Sequence, residues 1–164
     1  MLTARCISSK YLVNPFSSSV VTHAFHDIDG THSLIRDWPP VMSVVLADVI
    51  DHGLPESFDS AANCSRLIAQ AGLQKLPETD RFCLESAGLS ALTQMEWAIR
   101  RAVEEKHIDI PCDHSVNSQK IQMIWQGQEI FDHLPETPEM QHLLSVNAPR
   151  LFRLYERVLN GYCR

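Results

Sequence analysis

The sequence predicts a mainly helical chain with one strand near its N-terminus, and three observations carry that expectation. Val20 to Phe25 gathers β-branched and aromatic residues into a short run, closed by the polar, glycine-bearing stretch Asp27 to Thr31, and is the one strand expected. After Pro39-Pro40, apolar residues recur at spacings of three and four almost to the C-terminus. Residues that cap helices stand before several of those segments, and glycines close others.

Residues 1–19 show no periodicity and end in Pro15-Phe16-Ser17-Ser18-Ser19, the pattern of a flexible or loosely docked leader. The first acidic residue is Asp27, and Arg5, Lys10 and several serines precede it, so a transit peptide stays open beside a plain extension. Val41 to Ile50 has helical spacing with Gly53 as its stop. The next helix is expected from an Asp59 cap to Gly72, with Ala61, Cys64, Ile68 and Ala71 on its buried face. From Ser90 to His107, Leu92, Met95, Ile99, Ala102 and Lys106 form a stripe, supported by the i,i+4 pair Glu96 and Arg100. Asn117 to Leu134 is a weaker helix interrupted by Gly127. Thr137-Pro138-Glu139 opens another, which Pro149 is expected to split from a last helix carrying Leu151, Leu154, Tyr155 and Val158.

With 164 residues, the chain can bury a core of its own. Its net charge of −6 and pI near 5.7 argue against a nucleic-acid partner, which would call for a basic face. No apolar run is long enough to predict a membrane span. Five cysteines at wide, irregular spacing fit reduced thiols and a cytoplasmic location better than a disulfide framework.

Chemistry is concentrated in Asp27-Ile28-Asp29-Gly30-Thr31. Two carboxylates one residue apart at the end of a strand can approach one bound group, and the glycine lets the backbone turn sharply. Phosphoryl transfer needs a nucleophile, a proton donor for the leaving oxygen, and a cation against the charge on the phosphoryl oxygens. This string behind an apolar stretch resembles the first signature of the haloacid dehalogenase superfamily, mostly magnesium-dependent phosphatases. The resemblance implies that Asp27 is the nucleophile and a Mg2+ ligand. It implies that Asp29 is the acid/base residue and gives its main-chain carbonyl to the metal, while Gly30 and Thr31 bind substrate. The implied substrate is a small phosphorylated metabolite, and a homo-oligomer stays open.

The resemblance is strong over the loop and only in outline beyond it. His32-Ser33-Leu34-Ile35-Arg36 follows the threonine where many members have a leucine and soon another acid, which leaves the substrate class open. The helices from Asp59 onward resemble the cap that such proteins often insert. Ser145 superficially matches the second-signature serine, but its surroundings look helical, and no later strand ends in paired acids. A single strand cannot make the sheet of an α/β core. The expected organisation is therefore a leader (1–19), a HAD-like strand, loop and flap region (20–58) and a helical cap-like region (59–164), with the α/β core incomplete. On this reading the chain by itself is a weak or inactive catalyst. The alternative is a non-catalytic helical interaction or regulatory protein, or a degenerate relative, in which Asp27 to Thr31 is only a turn.

Other residues invite weaker readings. His23, His26 and His32, and separately Cys112-Asp113-His114, lack convincing zinc spacing. Trp38, Trp97 and Trp125 suit core packing better than a substrate pocket. Arg100 and Arg101 are expected on a solvated helix face with Glu104 and Glu105 rather than at an anionic substrate.

Overall fold

The computed structural model describes residues 5–7, 10–12, 38–129 and 134–163. The chain forms two compact units, Met1–Ile35 and Arg36–Arg164. In the first, β1 (Arg5–Ile7) and β2 (Lys10–Leu12) pair antiparallel, with Cys6 opposite Tyr11. Both stand in the segment whose sequence suggests only a leader. Strands of three residues are too short to display the alternation by which a strand is recognised. The expected strand Val20 to Phe25 and the loop Asp27 to Thr31 lie outside the described residues.

In the second unit the elements among the described residues are all helices: α1 (Trp38–His52), α2 (Ala61–Gln70), α3 (Pro77–Glu85), α4 (Ala91–Glu104), α5 (His114–Trp125) and α6 (Pro138–Tyr162). The mainly helical class expected from the periodicity is what the described residues show. α1 packs against α2, α3, α4 and α6, while α4 also packs against α5 and α6. This central position explains why α1 is apolar nearly all round, with Val41 through Leu46 buried without interruption. Pro39 and Pro40 belong to its first turn rather than preceding the helix. Their missing N–H groups fall where helical donors have no intrahelical partner. Gly53 ends α1 as expected, at φ +68° with its N–H on the Val49 carbonyl. A Cβ there would come within 2.4 Å of the His107 carbonyl oxygen, so both conformation and space require glycine.

The N-cap of α2 is Ser60, not Asp59. The Ser60 hydroxyl accepts from the Asn63 N–H, while the Asp59 carboxylate and carbonyl receive Arg150 and Arg157 from α6. The buried face accordingly runs through Cys64, Leu67 and Ala71, with Ala61 exposed. α3 was not expected, because its nine residues are mostly polar; it nevertheless buries Thr79, Phe82 and Cys83. Ser43 of α1 donates to Asp80 and shares a hydrogen bond with Thr79, which fastens the two helices.

α4 is capped by Ser90, where the expected segment begins, and buries Met95, Ile99 and Ala102. Its stripe is shorter than the spacing suggested. Leu92 is exposed, and Lys106 lies beyond the helix end with φ +63°. α5 starts at His114, under an Asp113 cap that accepts from Ser115 and Val116, and ends before Gly127 instead of being interrupted by it. α6 opens at the Thr137 cap with Pro138 at its first position, then runs unbroken for 25 residues through Pro149. The expected split does not occur. Leu144 and Ala148 before the proline and Leu151 and Leu154 after it are all buried in one core. Keeping both halves packed outweighs the roughly 3 kcal/mol that an interior proline costs.

Candidate functional site

Asp27, Asp29, Gly30 and Thr31 lie outside the described residues, as do His23, His26 and His32. Ser145, the serine that superficially matches a second signature, sits exposed inside α6 and donates to the His142 carbonyl. No strand end presents it.

The tryptophans belong to the packing. Trp97 is fully buried and stacks on Phe82 at a centroid distance of 3.7 Å, while Trp125 meets it edge-on at 5.5 Å. Trp125 donates its indole N–H to Glu85, and Trp38 packs half-buried against the core. The Trp97 indole nitrogen is buried without a hydrogen-bond partner.

The main polar cluster joins α4, α5 and the approach to α6. Arg100 was expected on a solvated face but is 1% exposed. Its Nε and Nη2 donate to Glu96 Oε1 at 2.9 and 2.6 Å, and its Nη1 reaches Asn117 Oδ1 and Glu136. Lys120, also buried, lies 3.3 Å from the same Glu136 oxygen. Burial pushes the Glu136 carboxyl up, but the hydrogen bond and charge of Arg100, with the charge of Lys120, hold it below the ordinary range. Glu104 is similar: burial opposes ionisation, and hydrogen bonds from Ser118 and Asn117 with the nearby His114 outweigh it. Arg101, by contrast, remains nearer the surface and pairs with Glu105 and Glu78. The sequence showed only the Glu96–Arg100 spacing. The cluster's other members come from distant segments, and α4 is buried on so much of its surface that its polar residues also turn inward.

Cys112 and His114 approach each other, Sγ to Nδ1 at 3.8 Å, beside Glu104. Burial, then the charges of Glu104 and Asp113, raise the Cys112 thiol, with Arg100 opposing. That shift disfavours the thiolate, the nucleophilic form. Among the described side chains, Cys64, Cys83, Cys112 and Cys163 are not joined in disulfides. Among the described residues, no group of three or more His, Cys, Asp or Glu side chains is arranged to hold a metal ion.

A cleft of about 560 Å³ is lined by the end of α1, the connection after it and the first turns of α2. Asp48 organises its polar wall. Its Oδ1 accepts from Arg66 and lies 3.1 Å from His52 Nδ1, while its Oδ2 accepts from Asn63 at 3.0 Å. Arg66 also donates to Asn63 and Gln70. These groups satisfy one another, leaving no free charge aimed into the space.

No protein-family profile, curated protein or solved structure matches this chain. Its functional reading therefore rests on its own residues. Among the described residues, no helix is long and apolar enough to cross a membrane.

Proposed function

We propose that the chain is a phosphohydrolase of the haloacid dehalogenase type, or the N-terminal portion of one, acting on a small phosphorylated metabolite. The observation that carries this reading is the string Asp27-Ile28-Asp29-Gly30-Thr31, followed at once by a separate helical unit of the kind a cap would form. In the reaction, the Asp27 carboxylate attacks phosphorus. The bond to the leaving oxygen breaks as Asp29 protonates that oxygen. Water then attacks the aspartyl-phosphate, Asp29 takes its proton, and phosphate departs from Asp27. Gly30 and Thr31 would meet the phosphate.

The donor set suits magnesium chemically, since the Asp27 carboxylate and the Asp29 carbonyl are hard oxygen ligands. Such ions are commonly held by one or two carboxylates, with waters and substrate phosphate completing the shell. When bound, the ion would supply positive charge beside the phosphoryl oxygens.

The test is Mg2+-dependent hydrolysis of p-nitrophenyl phosphate by the chain and by its Asp27→Asn variant, with magnesium titrated into both by calorimetry. Slow turnover and a binding heat, both lost in the variant, are expected, because the amide is neither charged nor nucleophilic. Equal magnesium binding and equal turnover in the two proteins would remove the assignment. A second reading, a non-catalytic helical interaction or regulatory protein, is favoured by one feature. The clustered charges of the helical unit are engaged with one another rather than converging on an open point. On that reading neither protein turns over substrate or binds magnesium.

A further inference from the structure

We draw no further inference here: the strongest candidate, the cleft of about 560 Å³ beside the end of α1 and the first turns of α2, is lined by charged groups already engaged with one another through Asp48, and no unpartnered buried polar side chain among the described residues lines it.

Discussion

Taking the Arg100 guanidinium out of water costs several kcal/mol, and the bonds it makes to Glu96, Asn117 and Glu136 are what offset that cost. Glu136 is the partner whose loss should be felt most, because it also faces Lys120. Glu136→Gln is expected to lower stability toward the small end of the roughly 3–5 kcal/mol typical when one partner of a buried pair is removed, since Glu96 still holds Arg100. The pH dependence follows from the depressed carboxyl. A group whose folded pKa lies below its unfolded value of about 4.3 contributes its full stability above that value, then loses it as pH falls through the folded value. Urea midpoints of wild type and variant should therefore differ fully at pH 7 and converge as pH falls below the unfolded value and through the lower folded one. A gap that stays constant into strong acid would show that the ion pair is not its source. Trp97 poses the complementary case of apolar packing. Truncating this fully buried ring, stacked on Phe82, to alanine should cost about 3–5 kcal/mol in the same urea experiment. An effect under about 1 kcal/mol would mean that the aromatic cluster is not part of the folded core.

At the scale of elements, the legible features were those set by local chemistry. The Thr137 cap, the Gly53 stop and the inward row Leu151, Leu154, Tyr155 and Val158 could all be read from neighbouring residues, because capping and periodicity act within one or two turns. What could not be read depends on distant chain. Ser60 displaced Asp59 as a cap because Asp59 is engaged by Arg150 and Arg157, about ninety residues away. α3 is too short and polar to announce itself, and it is helical because Phe82 and Cys83 fill the core. α6 crosses Pro149 for the same reason. Pro149→Ala should accordingly stabilise the protein. Removing an interior proline returns roughly 3 kcal/mol, of which up to ~1 kcal/mol is lost to a freer unfolded chain, for a net gain near 2 kcal/mol. A higher urea midpoint would show it, while an unchanged one would mean that the helix already accommodates the ring without strain. Gly53→Ala should act oppositely, costing more than about 1 kcal/mol, because its Cβ would meet the His107 carbonyl in a backbone conformation that alanine avoids.

For the whole molecule, the fold class was legible because the helices other than the short, polar α3 leave a periodic signature, whereas the proposed site rests on five consecutive residues. The described helical fold and the proposed function therefore belong to different parts of the chain, and that separation can be tested. Every buried apolar residue from Val41 to Val158 lies in the helical unit, in one continuous core built on α1, α4 and α6. A unit of this size with its own core is within the range that folds autonomously. Residues 36–164 expressed alone should give a helical far-ultraviolet circular dichroism spectrum and a single cooperative thermal transition. Such a transition reports a packed core rather than a loose collection of helices. The same fragment lacks Asp27 and Asp29, so it should give no magnesium-binding heat under conditions where the full chain does. The two readouts separate the two conclusions. Loss of cooperativity in the fragment would show that residues 1–35 are required for the helical core. Magnesium binding by a well-folded fragment would move the metal site away from Asp27 and Asp29 and undo the proposed chemistry, while leaving the fold as described.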